Sequence, residues 1–254
     1  MRAPEPTLTF LLGTDSWSGL GEGYLHDLTR LLREGSLESL HLVREDVIPL
    51  SGGMDADFGE SAVAVEGFCS ALRASKLTEL VLAGVYLFRE QEAGLAVVRA
   101  CTNHPTLESV SFKANRVGAD AATRTAFGQA MAALIGGGSE TPLKSLSLRN
   151  CEMGDGAAEP LFAAVATTTQ LLSLNISGCN ISAICMRDVG LPALKANASL
   201  RSLHLCDNPP HTFDEETAAF IVAAGGDPTD HSVAPSEHHL AAEELIAERV
   251  GAAV

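Results

Sequence analysis

The sequence has few aromatic and few basic residues. Only 5% of its 254 residues are aromatic, and 17 Lys and Arg stand against 32 Asp and Glu, which gives a formal net charge of −15. Nucleic acid and anionic membrane surfaces repel such a protein, so we expect neither as a partner. No apolar run approaches the roughly 20 residues that span a bilayer. We therefore predict no membrane insertion.

The sequence also lacks the patterns of a metal centre or a catalytic site. Its six cysteines form no CxxC pair, and no histidine stands at metal-ligand spacing from them. Walker, HExxH and GxSxG motifs are absent as well, and the N-terminus shows no signal-peptide cleavage pattern. We expect a protein that is not an enzyme, binds no cofactor or metal, and keeps reduced thiols in the cytoplasm.

What the sequence does contain is a repeated hexad with leucine or a similar apolar residue at positions one, four and six. Clear copies start at residues 37, 77, 107, 143, 171 and 200, and a degenerate copy at 7–12 precedes the first by 30 residues. Apolar positions that alternate with polar ones predict a strand buried on one face. The segments that follow the hexads have apolar residues at helical spacing, which predicts helices at 20–34, 62–74, 92–101, 119–134, 157–166, 183–195 and 214–224.

A second position of the repeat, three residues beyond each hexad, also has a restricted choice of residue in the later copies. The later copies have Asn115, Cys151, Cys179 and Asn208 there. An Asn side chain can satisfy backbone groups of neighbouring repeats where a strand turns. A cysteine can fill the same buried slot as a small apolar residue with a weak donor. We therefore predict structural roles for these cysteines.

The hexad and the Asn or Cys position together resemble the leucine-rich repeat family, whose consensus is LxxLxLxx(N/C)xL, over roughly residues 7–224. Repeat lengths of 28 and 29 residues at the C-terminal copies look like the ribonuclease-inhibitor-like subtype. The resemblance implies an α/β solenoid, a horseshoe arc with a parallel inner sheet, outer helices and about seven repeats. It also implies a module for protein–protein interaction, such as a scaffold, an adaptor or a subunit of a larger assembly.

The predicted domain organisation has three parts. Residues 1–224 form the solenoid, 225–237 a linker, and 238–254 a final helix that either caps the open end or docks on a partner. Insertions at 46–60 and 135–142 have loop composition. Such insertions are either recognition sites or tolerated length variation.

The resemblance also identifies the outward positions of the sheet. We call the third, fifth and seventh residues of each repeat the inner face. Its third-position row is Ser39, Glu79, Ser109, Ser145, Ser173 and Ser202. Candidate partner-binding residues on or beside this face are the basic residues Arg44, Lys113, Lys144, Arg149 and Arg201 and the fifth-position histidines His41 and His204. Trp17 and Tyr86 are candidate aromatic anchors in the loop region.

The charge is unevenly distributed over these segments. The first eight positions of the six clear repeats contain basic residues at 44, 113, 144, 149 and 201 and acidic ones at 38, 79, 108 and 207. Residues 214–254, in contrast, contain nine acidic residues and Arg249 alone as a base. An acidic partner is therefore disfavoured at the tail and possible at the inner face.

Two other functions stay open beside the interaction module. The protein could regulate a signalling enzyme, as a GTPase activator or an enzyme inhibitor, or it could be an effector that acts on host proteins. No motif matches either class residue by residue. An effector that recruits ubiquitin machinery would need a further module, and only residues 225–254 remain outside the repeats. The partner protein and the oligomeric state are not predicted.

Overall fold

Strands and helices alternate along the chain. The computed structural model describes residues 7–12, 22–35, 37–44, 62–136, 142–208, 242 and 244–246. Its elements are β1 (Thr7–Leu12), α1 (Glu22–Glu34), β2 (Ser39–Arg44), α2 (Ala62–Ala74), β3 (Glu79–Ala83), α3 (Gln91–Cys101), β4 (Ser109–Ser111), α4 (Ala121–Gly136), β5 (Ser145–Ser147), α5 (Asp155–Thr167), β6 (Ser173–Asn175), α6 (Ala183–Cys185), α7 (Leu191–Ala196) and β7 (Ser202–His204).

The periodicity predicted most of these helices closely. The helix predicted at 62–74 has the observed bounds, and the ends predicted for the other described helices differ by at most two residues. The prediction at 183–195 is wrong in one respect, because a π-helical turn (Met186–Gly190) interrupts the helix. Pro192 has no N–H to donate, so the regular α-helical hydrogen bonds to the carbonyl four residues earlier cannot continue through it. The Leu191 N–H donates instead to the Met186 carbonyl, five residues earlier.

The helix predicted at 214–224, the linker predicted at 225–237 and the insertion at 46–60 lie outside the described residues. The loop predicted at 135–142 starts two residues too early, because α4 extends to Gly136, and its residues 137–141 are not described.

Within the described residues, seven strands form one parallel sheet in chain order, as β1-β2-β3-β4-β5-β6-β7. Its register pairs Ser39 with Glu79, and the third-position residues of the later strands pair in the same way along the predicted row. The alignment of the first copy is wrong by two residues, because Thr7 pairs with Ser39 and not with Leu37. The shift is even, so the same side chains still share a face.

One continuous apolar core lies between the sheet and the helices. Leu40, Leu80 and the other fourth-position residues are buried, and the helices pack against their neighbours in chain order, with α4 on α5 as the most extensive pair. The rings of Phe88 and Phe127 meet edge to face at 4.8 Å between centroids, which favours a defined packing. The described elements form an unclosed arrangement that fits an α/β solenoid like that of leucine-rich repeats. Ala242 and Ile246 near the C-terminus also belong to this core.

The chain turns in the same way after five successive strands. The eighth position of each repeat has left-handed backbone, with φ between 59° and 68°, at Gly84, Ala114, Asn150, Gly178 and Asp207. Gly178 is further constrained, because a Cβ atom there would meet the side-chain oxygen of Asn150. This repeated turn gives the seventh-position residues equivalent backbone placements along the sheet.

Close approach of α4 and α5 depends on Gly128. A Cβ atom at this position would lie 2.6 Å from the Pro160 Cγ and 2.7 Å from the Ala157 Cα, and it would also meet the Ala157 carbonyl oxygen. Backbone atoms cannot move aside as a flexible side chain can. The two helices therefore have to separate to accommodate a methyl group.

We expect Gly128→Ala to lower the free energy of unfolding by about 2 kcal/mol, the usual cost of overpacking. Gly67 in α2 supplies the matched control, because a Cβ atom there meets nothing within 4 Å. Gly67→Ala should raise the free energy of unfolding by about 0.5–1 kcal/mol through helix propensity. Urea denaturation of both variants measures this difference, and equal effects at the two sites would contradict the packing described.

Candidate protein-binding surface

Buried side chains that follow β4, β5, β6 and β7 tie these strand ends to the preceding repeat. The Asn115 side-chain oxygen accepts a hydrogen bond from the Leu87 N–H at 3.0 Å, and its amide nitrogen donates to the Leu82 carbonyl at 2.6 Å. Asn208 repeats this arrangement, accepting from the Cys179 N–H at 2.9 Å and donating to the Ile176 carbonyl at 2.8 Å. These contacts confirm the bridging role that the sequence predicted for the Asn position.

Cysteines hold the same slot in the two intervening repeats. The Cys151 thiol donates to the Phe112 carbonyl at 3.2 Å, and the Cys179 thiol donates to the Leu148 carbonyl at 3.0 Å. Both side chains are fully buried. Burial raises the pKa of Cys179 to about 12 and that of Cys151 well above its ordinary value. These thiols are therefore weak donors in a packed slot and poor nucleophiles.

A second set of inter-repeat bonds, at the C-terminal ends of the helices, was missed in the sequence. His104 Nε2, Thr168 Oγ1 and Asn197 Nδ2 lie 2.9, 3.0 and 2.7 Å from the carbonyl oxygens of Leu72, Ile135 and Val165, respectively. A carbonyl only accepts, so His104 carries its proton on Nε2. Burial lowers the pKa of His104, against the opposing effect of its bond to Leu72. The sequence feature that marks these bonds is a polar residue three positions before the hexads that start at residues 107, 171 and 200.

On β4, β5 and β6 the third and fifth positions of the inner face are half-buried and alternate with buried core residues. Serines occupy both outward positions of β4 and β5. His41 Nε2 lies 2.9 Å from a Glu79 carboxylate oxygen on the next strand, and His204 Nε2 lies 3.2 Å from the Ser202 hydroxyl on its own strand. The two histidines are on β2 and β7 and do not meet, as expected. Neither pairing was predicted.

The basic candidates differ in whether they already have a partner. Lys144 Nζ lies 2.8 Å from a Glu108 carboxylate oxygen, and Arg201 donates to the Ala198 carbonyl at 2.7 Å. Arg44 ends β2, but its side chain and the whole of Trp17 lie outside what the structure describes. Tyr86 is half-buried in the loop after β3, with a left-handed φ of 52°.

Lys113 and Arg149 stand apart from the other candidates. They are exposed at equivalent seventh positions after β4 and β5, and the backbones join there because the Ala114 N–H donates to the Arg149 carbonyl at 2.7 Å. Among the described residues, neither cation forms an ion pair. The fifth and seventh positions from β3 to β7 contain no Asp or Glu. We call Lys113 and Arg149 the cation pair.

A further ion pair lies beside the cation pair at the loop edge. Arg116, which the sequence analysis did not single out, is bound to Glu152 with 2.9 Å between nitrogen and oxygen. These two residues occupy the tenth positions of adjacent repeats, in line with Tyr86. Because Glu152 is engaged by Arg116, it does not neutralise the cation pair.

Within the described part of the chain, no group of three or more His, Cys, Asp or Glu residues is placed to hold a metal ion. Of the helices in this part, none has the length and apolar character needed to cross a membrane.

Comparison with known proteins supports the architecture. A family model described as Leucine Rich repeat matches residues 140–162, which supports a leucine-rich repeat protein. No curated protein matches the chain. Among solved structures, Leiomodin-1 Actin-Binding Site 2 (ABS2) is similar with a TM-score of 0.36 and 11% sequence identity, over 90% of this chain and 88% of that one. At that TM-score the likeness carries no argument about fold or function.

The burial of the thiols generates a prediction. Cys69, Cys101, Cys151, Cys179 and Cys185 are buried, whereas Cys206 is exposed. We expect iodoacetamide to label Cys206 alone in the native protein and all six cysteines in urea, because a buried thiol with a raised pKa supplies almost no accessible thiolate. Peptide mass spectrometry measures the sites. Rapid native labelling of Cys151 or Cys179 would show that the slot is open to solvent.

Proposed function

We propose that this leucine-rich repeat protein is a non-catalytic protein-interaction module that binds an acidic segment of a partner protein at the cation pair. One observation carries the proposal. Lys113 and Arg149 are adjacent, exposed and without an acidic partner among the described residues, whereas Lys144 and Arg116 are each bound to a carboxylate. A chain of net charge −15 has acidic side chains in excess, so two unpaired neighbouring cations mark a surface suited to an outside anion.

Electrostatics supports the choice of an acidic protein segment. A guanidinium binds a carboxylate through two parallel hydrogen bonds, and a neighbouring ammonium adds a second point of attachment. Exposed charges of this kind speed association and select partners more than they add affinity. The acidic remainder of the chain repels nucleic acid and anionic lipid. This distribution of charge, two cations within an acidic surface, therefore favours a short acidic segment over an extended polyanion.

The finer architecture belongs to the same proposal. We propose the ribonuclease-inhibitor-like subtype, with about seven repeats in a horseshoe arc, which would make the inner face concave. Repeat lengths of 28 and 29 residues and a sheet of seven strands in chain order support it. We also propose that 225–237 is a linker and that 238–254 caps the solenoid, because Ala242 and Ile246 are buried in the core.

The role in the cell is proposed at a coarser level, as a scaffold, adaptor or subunit acting in the cytoplasm. The free cysteines support that compartment, since they form no disulfide within the described residues. A regulator of a signalling enzyme would use the same surface, and the identity of the partner separates these roles. His41, His204, Arg44, Lys144, Arg201, Tyr86 and Trp17 are proposed as surrounding contacts of the same surface.

Charge reversal at the cation pair tests the proposal. The full chain and the variant K113E/R149E are used to capture partners from a lysate at low salt, with partners quantified by mass spectrometry. K195E is the control for charge reversal at another exposed site, because Lys195 is exposed in the last turn of α7 and belongs to no strand of the sheet. We expect K113E/R149E to lower recovery of the main partner at least about tenfold, which corresponds to about 1.4 kcal/mol, and K195E to leave it unchanged.

Thermal melting must show that all three proteins are equally folded. Undiminished recovery of the partner by K113E/R149E would sink the assignment of the site. An equal loss with K195E would show a non-specific effect of net charge and would sink it too.

A further inference from the structure

The cation pair lies beside a strip of small side chains that runs across the strands. Ser111 and Ser147 pair with one another in the register, as do Ser109 and Ser145, and Ser145 pairs with Ser173. We call these five residues the serine trough. All five are half-buried, and none extends beyond its hydroxyl group.

Larger side chains limit the trough at both ends. The hydrogen-bonded side chains of His41 and Glu79 stand on β2 and β3, and the exposed His204 stands on β7. Between them, β4 and β5 present only serines at the third and fifth positions, and β6 presents Ser173 and Asn175. A rod-like segment can therefore approach the sheet most closely if it crosses these strands.

The backbone of the sheet leaves little for an extended peptide to bind. Backbone groups of β4, β5 and β6 are engaged by the preceding repeat, as in the donation of the Ser109 N–H to the Thr78 carbonyl at 3.0 Å and of the Ser145 N–H to the Glu108 carbonyl at 3.0 Å. An extended segment on the face would exchange water for a few serine hydroxyls and leave backbone groups unsatisfied. A helix satisfies its own backbone internally. The face therefore favours a helix.

The spacing of the cations fits a helix as well. Adjacent strands lie about 4.8 Å apart, and side chains one turn apart on a helix lie about 5–6 Å apart. Two carboxylates at positions i and i+4 of a helix that crosses the strands would therefore face Lys113 and Arg149 together. Carboxylates at i and i+2 point to different sides of a helix and would reach only one cation.

We infer that the partner segment is an acidic α-helix that lies across β4 to β6 in the serine trough and places two carboxylates, one turn apart, on Lys113 and Arg149. This inference rests on the proposed function, since it specifies the occupant of the same surface. Charge complementarity selects the acidic side chains. The small side chains and the engaged sheet backbone select the helix.

Three synthetic peptides of equal length and charge test the inference by fluorescence anisotropy with the full chain. The first is an Ala-rich helix with Glu pairs at i and i+4 on one face, and the second has the same composition with Glu at i and i+2. The third keeps the spacing of the first and has a central Pro that breaks the helix. We expect the first to bind at least tenfold more tightly than the others, with K113E/R149E removing this advantage and K195E preserving it.

The outcomes separate the two proposals. Equal binding of all three peptides, abolished by K113E/R149E, would overturn the helix while leaving the acid-binding surface in place. Tight binding of the first peptide that survives K113E/R149E would overturn both. Failure of the first peptide to bind would overturn the helix, and the captured partner would then decide the proposed function separately.

Discussion

The structure depends on one constraint, which is that no single repeat can satisfy its own backbone where its strand ends. The missing bonds come from a buried side chain of the next repeat, Asn115 for the loop after β3 and Cys151 for the strand end of β4. His104 and Asn197 do the same at the helix ends. Because a buried unsatisfied polar group is costly, each repeat is stable only when stacked on its neighbour.

The binding surface follows from this constraint. Lys113 and Arg149 each stand two residues before a buried bridging residue, Asn115 or Cys151, with a left-handed residue between them. The bridge and the turn hold both backbones in equivalent positions on adjacent repeats. The two cations are therefore neighbours because of polar groups buried beneath them, although their own side chains make no contribution to the core.

Most of the architecture was predictable because it depends on patterns that repeat. Strand faces and the bridging role of Asn115 followed from spacing alone. The register of the first copy was not predictable, because TLTFLL contains two apolar pairs at the spacing of the fourth and sixth hexad positions, Leu8 with Phe10 and Phe10 with Leu12. The free or paired state of each cation depends on side-chain placement, as in the bond of Lys144 to Glu108, which no repeat pattern encodes.

The free energy of unfolding of Asn115→Ala, compared with Asn115→Cys and Ser111→Ala in urea, tests the central constraint most directly. Asn115→Ala leaves the Leu87 N–H and the Leu82 carbonyl without their partner, and we expect a loss of about 3 kcal/mol. Asn115→Cys places at this position the residue type found at the equivalent positions 151 and 179, and it should recover part of the lost free energy of unfolding. Ser111→Ala, on the inner face, should cost less than about 0.5 kcal/mol. A loss below about 1 kcal/mol for Asn115→Ala would contradict the account.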